Sequence, residues 1–208
     1  MLSGPTIILQ CSACQKPIEE HTAVESDDIP DAVFWTDGRR YAPVIPDEPL
    51  LVMCPHCHAP LWLDELEELG TFEPLDDWRD EFSDAREYVI PAPDDYFALL
   101  DSTVDNPEKE HYIRLNAWWT LNDERRESPD EIPLSSRETY NLKSLARMLD
   151  ESDDHDRVMK AEIMRELGRF PDALALLSHR FDDDMAEAVE IIRSLAQKND
   201  RYVREMQF

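Results

Sequence analysis

Two stretches decide the fold of this chain: IILQCSACQKPI, residues 7–18, and LLVMCPHCHAPL, residues 50–61. In each stretch two residues separate a pair of cysteines, so both thiolates of one tight turn can point at the same tetrahedral ion. An apolar run precedes each pair, and proline followed by isoleucine or leucine comes at the same distance after it. This duplication predicts two equivalent turns, each between a pair of β-strands.

The duplicated pattern resembles the zinc-ribbon family, in which two such turns, called knuckles, lie on β-hairpins and close a four-cysteine zinc site. The resemblance covers residues 5–63. It implies that a single zinc ion is bound by Cys11, Cys14, Cys54 and Cys57. Because four thiolates leave no open coordination position, the resemblance implies a structural ion that stabilises the fold and does not activate water.

Two other interpretations of the cysteines stay open. His56 and His58 flank Cys57, and either imidazole can replace a thiolate as a ligand. A redox-active pair is the second alternative, although such pairs normally open a helix in a thioredoxin-like fold, and neither stretch has that context. The chain also departs from the family by a wider spacing between knuckles and by Gln15 and His58, where many knuckles have glycine.

A β-hairpin is predicted between the two knuckles, as an insertion in the ribbon. Residues 32–36 and 39–44 are rich in β-branched and aromatic residues. They flank Asp37-Gly38, a dipeptide that suits the positive φ angles of a two-residue hairpin turn. We expect the aromatic side chains of this hairpin to pack the small ribbon core, and its arginines to neutralise nearby acids.

Six aromatic or basic residues are candidates for contact with a partner. Aromatic rings beside arginines can stack on bases or bind a peptide. A tandem pair of tryptophans can anchor a ligand, although we interpret such a pair first as packing between domains. The candidates are Trp35, Arg39, Arg40, Tyr41, Trp118 and Trp119.

The sequence predicts three segments in an α+β chain. Residues 1–70 form a zinc ribbon with the inserted hairpin. At its end, Asp64 caps a predicted short helix that runs through Leu69, with Gly70 as its stop. Residues 71–106 form an acidic connector of ordered loops with a short helix, because residues 64–110 hold 17 acids and three bases. Residues 107–208 form a helical domain.

The first helix of that domain has a clear start. Asn106 precedes a proline and an early acid, which is typical of a helix cap followed by its first turn. Tyr112, Leu115 and Trp119 then share one face at spacings of three and four residues. Trp118 points about 100° away from that face, so we expect it to pack elsewhere or to be exposed.

The later helices form predicted hairpins. A capping box at Ser135 and Glu138 opens one of them. Residues 161–177 resemble one unit of the tetratricopeptide repeat family, and the resemblance covers one helical hairpin. Stacked helical hairpins follow from the helical periodicity alone. The residues that match the small, turn, aromatic and small positions of that repeat are Ala161, Gly168, Phe170 and Ala173.

Composition limits the class of partner and the compartment. The chain of 208 residues has 47 acids and 21 bases, a formal net charge of -26, so direct binding to nucleic acid is not expected. Residues 1–10 have no basic leader, and their apolar run is far shorter than the ~20 residues of a membrane-spanning helix. Paired cysteines without an export signal favour the cytoplasm.

The sequence favours a non-catalytic, zinc-stabilised adaptor that binds another protein. Four glycines provide no phosphate-binding loop, and neither a nucleophile elbow nor a zinc-protease helix motif is present. Two alternatives stay open. The acidic chain can act as an immunity protein, inhibitor or DNA mimic that neutralises a basic partner, through residues 64–110. The second alternative is an enzyme whose dispersed site lies in a cleft between the ribbon and the helices and uses His56 or His58.

Overall fold

A computed structural model of the chain describes residues 3–23, 32–42, 48–74, 80–102, 105–128 and 131–207. The chain divides into two compact units. The first comprises residues 1–32 with 42–92, and the second comprises residues 33–41 with 93–208. Small sheets in the first unit and helices in the second confirm the predicted mixed α+β class. Residues 75–79 and 103–104 of the predicted connector lie outside the described residues.

Nine strands and six α-helices are formed by the described residues. The strands are β1 Ser3–Gln10, β2 Pro17–Ala23, β3 Val33–Trp35, β4 Arg40–Tyr41, β5 Leu51–Met53, β6 Pro60–Trp62, β7 Glu67–Phe72, β8 Arg86–Glu87 and β9 Glu205–Met206. The helices are α1 Pro93–Asp101, α2 Pro107–Glu127, α3 Ser136–Met148, α4 Asp154–Glu166, α5 Phe170–Leu176 and α6 Ala186–Gln197. Among the described residues, no helix has both the length and the apolar character needed to cross a membrane.

The first unit holds both cysteine stretches on antiparallel strand pairs, as the duplicated pattern predicted. Strands β1 and β2 pair on either side of the first stretch, within a sheet of order β7-β1-β2-β8, and β5 pairs with β6 around the second. The core between them is small. Ile18, Val52 and Leu61 pack with the buried Cys11 and Cys54, so sulfur atoms form part of this core.

The predicted short helix from Asp64 through Leu69 is wrong. A single 3-10 turn, Leu63–Glu65, is followed by strand β7, which pairs antiparallel with β1. Gly70 and Thr71 lie in this strand, and both are poor helix formers. The backbone of β1 offers β7 a ladder of hydrogen bonds that an isolated helix turn cannot match. Tertiary pairing therefore overrides the local helix signal.

The predicted hairpin between the knuckles is present, but its turn and its neighbours differ from the prediction. Four residues join strands β3 and β4, and three of them, 36–38, lie between the hydrogen-bonded pair Trp35 and Arg39, where Trp35 N–H donates to the Arg39 carbonyl. Gly38 has a φ of 80° and donates its N–H to the carbonyl of Trp35. This is the three-residue turn that ends in a left-handed residue. Strand β3 also pairs with β9, so the hairpin belongs to the second unit, and no hairpin residue is among the described members of the core around Cys11 and Cys54.

Helix starts in the second unit follow their capping signals. The side chain of Asn106 accepts hydrogen bonds from the N–H groups of Glu108 and Lys109 at the start of α2. Ser135 and Glu138 form a complete capping box at the start of α3. Both helix starts could be predicted from the sequence because the donor and the acceptor of each cap are only a few residues apart.

The buried face of α2 differs from the predicted one. Ile113, Ala117 and Trp118 are buried, and so are the polar residues Arg114 and Asn122. Trp118 is only 2% exposed and packs in the main core of the unit with residues of α3 and α4. Hydrophobic periodicity missed this face because two of its positions are polar. The predicted Tyr112, Leu115 and Trp119 are half-buried instead.

Candidate functional site

The four cysteines form one cluster. Their Sγ atoms all lie within 4.8 Å of one another, and all four residues are free cysteines. The Sγ atoms of Cys11 and Cys57 are 3.9 Å apart, and those of Cys14 and Cys54 are 3.8 Å apart. A tetrahedral ion with bonds of 2.3 Å to sulfur requires a separation of about 3.8 Å between ligands. The donor set and its geometry therefore fit a tetrahedral metal ion.

The two knuckles have the same backbone structure. Cys11 N–H donates to the carbonyl of Lys16, and Cys54 N–H donates to the carbonyl of Ala59. Amide groups also approach the sulfur atoms, since Cys14 N–H and His56 N–H each donate to the Sγ of the first cysteine of their knuckle, at 3.4 Å. Such donors stabilise a thiolate. The duplicated sequence thus produces two equivalent ligand-holding turns.

Gln15 and His58 take the same unusual backbone conformation. Their φ angles are 62° and 58°, in the left-handed region that glycine adopts without strain. The Gln15 side chain compensates by donating to the carbonyls of Cys11 and Ser12. The departure from glycine at these positions therefore changes residue type and leaves the knuckle geometry intact.

His56 joins the two knuckles and is not part of the thiol cluster. Its Nε2 atom lies 3.1 Å from the carbonyl oxygen of Pro17, so the ring N–H donates across to the first knuckle. His58 is exposed. Neither imidazole joins the group of sulfur atoms that lie within ligand distance of one another. The four thiols alone form the candidate ligand set.

We expect His56→Ala to keep the metal and to lose about 1 kcal/mol in the free energy of unfolding of the first unit, the usual contribution of one such hydrogen bond. Urea titration with metal analysis of the same samples measures both quantities. His58→Asn is the control, because asparagine tolerates the left-handed backbone. Loss of metal in His56→Ala with retention in His58→Asn would identify His56 as a ligand.

Ionisation of the cluster requires a cation. Burial raises the pKa of Cys54 to about 12, with the Cys11 and Cys57 thiols adding to the rise. Burial acts in the same direction at Cys11, but hydrogen bonds from the amides of Cys14 and Ala13 outweigh it and lower that pKa to about 7. Four thiolates together are thus disfavoured without a metal. Metal binding at neutral pH must release protons.

The six candidate partner-contact residues all lie in the second unit, at different depths. Trp35, Arg39 and Tyr41 line a surface cavity, and Arg40 is half-buried on β4. Trp118 lies in the core and is not available to a partner. The Trp119 Nε1 donates to the carbonyl of Asp37 at 2.9 Å, and the Arg39 guanidinium lies over its ring.

The hairpin turn contributes to a buried polar network that the sequence did not reveal. Asp37 is 1% exposed, and Asn122 Nδ2 donates both to its Oδ2 atom at 2.9 Å and to Glu166 Oε1 at 3.1 Å. The Arg126 guanidinium forms an ion pair with the same Asp37 oxygen. Trp118 Nε1 donates to Glu166 Oε2 at 3.0 Å. Asp37 had the sequence signature of an exposed turn residue.

A second guanidinium group, that of Arg165, belongs to the same buried network. Arg165 is fully buried, pairs with Glu162, and donates to the carbonyls of Asp200 and Tyr202 and to the hydroxyl of Thr36. Three buried carboxyl groups therefore face two guanidinium groups. Burial, with the negative charges of Glu162 and Asp37, raises the pKa of Glu166 to about 8. Glu166 has no guanidinium contact comparable to the other two and keeps a proton at neutral pH.

This proton makes the stability of the second unit depend on pH. In the unfolded chain Glu166 has its ordinary pKa of 4.5, far below the folded value of about 8. The folded state holds the extra proton between those values, so stability falls as pH rises through this window. Between about pH 6 and pH 8 the free energy of unfolding of wild type should fall, and we expect Glu166→Gln to remove up to about 2 kcal/mol of that fall. Urea titrations of both proteins at the two pH values measure this difference.

Exposed carboxylates provide the control for this pH effect. Glu187 lies exposed on α6, and Glu187→Gln should leave the pH dependence of wild type unchanged. Equal slopes in wild type and Glu166→Gln would show that Glu166 ionises normally.

Comparisons with known proteins add no family to this description. No protein-family model matches the chain, and neither a curated protein nor a solved structure matches it.

Proposed function

We propose that the protein is a non-catalytic binding module for another protein, stabilised by one structural zinc ion. The observation that carries the proposal is the cluster of Cys11, Cys14, Cys54 and Cys57 at tetrahedral spacing. Zinc is the tetrahedral, redox-inactive ion for which four-thiolate sites are typical. A complete set of four thiolates leaves no position for a substrate or an activated water, which supports a structural role.

Metal identity is tested by elemental analysis of the full chain purified without added metal. We expect one zinc ion per chain. Replacement of the ion by Co²⁺ should give the visible absorption of a tetrahedral four-thiolate complex, which distinguishes four sulfur ligands from three. A preparation that is folded without metal, with Cys11 bonded to Cys14, would overturn the proposal and favour the redox alternative.

The adaptor role is tested by capture of partners from the native cell on the immobilised full chain. We expect a stoichiometric partner that is retained at high salt, because packing contacts are less sensitive to salt than charge pairs. Single alanine substitutions at exposed positions of the second unit should locate its contact surface, while metal content stays at wild-type level. A partner unaffected by every surface substitution there would contradict the role of this unit.

The charge of -26 favours a second candidate, an acidic protein that neutralises a basic partner. The same capture experiment separates the two. A partner that dissociates as salt rises, and that is lost when exposed acids such as Glu67 and Glu68 of β7 are changed to glutamine, supports the acidic alternative. Turnover of a substrate by the purified protein would instead support the third interpretation, an enzyme.

A further inference from the structure

A cavity of about 530 Å³ opens on the second unit, beside the hairpin β3–β4, the last turns of α2 and strand β9. Its volume is within the usual range of ligand sites. Aromatic walls come from Trp35, which is half-buried, and from Tyr41, which is 61% exposed. Such a large exposed aromatic ring at the entrance of a cavity indicates a contact surface.

Arg126, one of the two cations that line this cavity, is already neutralised. The Arg126 side chain is 6% exposed, lies over the Trp35 ring, and forms ion pairs with Asp37 and Asp123. Its guanidinium is therefore held by two carboxylates of the same unit. An anionic ligand gains little from a cation that is so fully paired.

Two further carboxylates of the lining have no such partner. Glu127, at the end of α2, and Glu205, on β9, are both exposed. Within the described residues, no ion pair or side-chain hydrogen bond involves either carboxylate. Arg39, the other cation of the lining, lies over the Trp119 ring. The lining thus holds three carboxylates, those of Asp123, Glu127 and Glu205, and two guanidinium groups. This excess of negative charge beside an exposed aromatic ring is a combination that binds a cationic group.

We propose that this cavity binds a basic side chain, arginine or lysine, of a partner polypeptide. The cationic group lies against the Tyr41 ring and is neutralised by Glu127 and Glu205. A polypeptide is favoured over a free amine because the proposed function is protein binding, and because the cavity lies beside β4, the last strand in the described order β4-β3-β9. This inference rests on the proposed protein-binding function and names the chemistry of the partner.

The test uses the full chain and two labelled peptides that differ in one group. The first has a single arginine between alanine and glycine residues, and the second has the uncharged isostere citrulline in its place. Fluorescence anisotropy measures both affinities. We expect the arginine peptide to bind about ten-fold more tightly, a difference that rising salt reduces.

Variants locate the site. Tyr41→Ala should weaken binding of the arginine peptide about five-fold, and Glu127→Gln with Glu205→Gln about ten-fold. Tyr140→Ala and Glu187→Gln are matched controls, because Tyr140 is 65% exposed on α3 and Glu187 is exposed on α6. Both controls should bind as wild type does. Equal affinity for the two peptides, an absence of binding, or equal effects of controls and cavity variants would overturn the inference.

Failure here is distinguishable from failure of the proposed function. A chain that binds zinc and retains a partner at high salt, but shows no preference for the arginine peptide, keeps its adaptor role and loses this site. A chain that prefers the arginine peptide only while the cavity residues are intact keeps the site, whatever the wider assay shows.

Discussion

Cys54→Ser, or removal of the metal by a chelator, is expected to unfold the first unit. An apparent binding free energy of about 10–16 kcal/mol is typical of a structural zinc site. This binding free energy is of the same size as the net stability of about 5–15 kcal/mol that a domain usually has. The core of this unit offers little to offset the loss, because two of its buried members, Cys11 and Cys54, belong to the candidate ligand set. Hydrogen exchange should show loss of protection in β1, β2, β5 and β6.

The control for this change is Ser12→Ala, which alters an exposed residue of the first knuckle without touching a thiol. It should keep both metal and amide protection. Helices α2, α3 and α4 should retain their protection in Cys54→Ser, because none of their residues belongs to the cluster. Wild-type protection of β1 and β5 in a metal-free Cys54→Ser protein would show that the metal has no structural role.

The second large effect is expected from Arg165→Met, which should destabilise the second unit by about 3–5 kcal/mol. The substitution leaves Glu162 buried without its cation, and it removes the donors to the carbonyls of Asp200 and Tyr202. Thr36 exchanges hydrogen bonds with the backbone of Arg204, and its hydroxyl also accepts from Arg165. The amides of Thr36 and Arg204 should therefore lose hydrogen-exchange protection first.

Two further variants make this prediction specific. Arg169 forms an ion pair with Asp172 at the same sequence spacing, but both side chains are about half exposed. Arg169→Met should thus cost about 0.5 kcal/mol or less. Adding Glu162→Gln to Arg165→Met should recover part of the loss, because it removes the unpaired buried charge. Equal destabilisation by Arg165→Met and Arg169→Met would show that burial of the ion pair is unimportant.

The cluster of four cysteines was predictable because its information is local and repeated. Each knuckle is specified by a few residues, and its two thiols are brought together by the turn itself. Only the meeting of the two knuckles depends on the tertiary structure. The helix caps at Asn106 and Ser135 were predictable for the same reason, since donor and acceptor lie within a few residues of each other.

The buried network was not predictable, because its members are far apart in sequence and polar. Asn122 and Glu166 are both buried, and both lie on helices whose apolar periodicity says nothing about polar positions. Asp37 has the pattern of a turn residue because one of its contacts does lie in the turn, where its carboxylate accepts a hydrogen bond from Arg39 N–H. Its other contacts, with Asn122 and Arg126, exist only once the hairpin is packed on α2.

The pairing of β3 with β9 has a consequence for how the chain is made. Residues 33–41 are synthesised early, but their strand partner at residues 205–206 is synthesised more than 160 residues later. The sheet of the first unit needs nothing beyond β8, so it can form while the ribosome is still translating the helices. Strand β3 can meet α2 earlier, but it lacks its β9 partner until residues 205–206 emerge from the ribosome. Completion of this sheet therefore depends on a strand far along the chain and not on the local propensity of the hairpin.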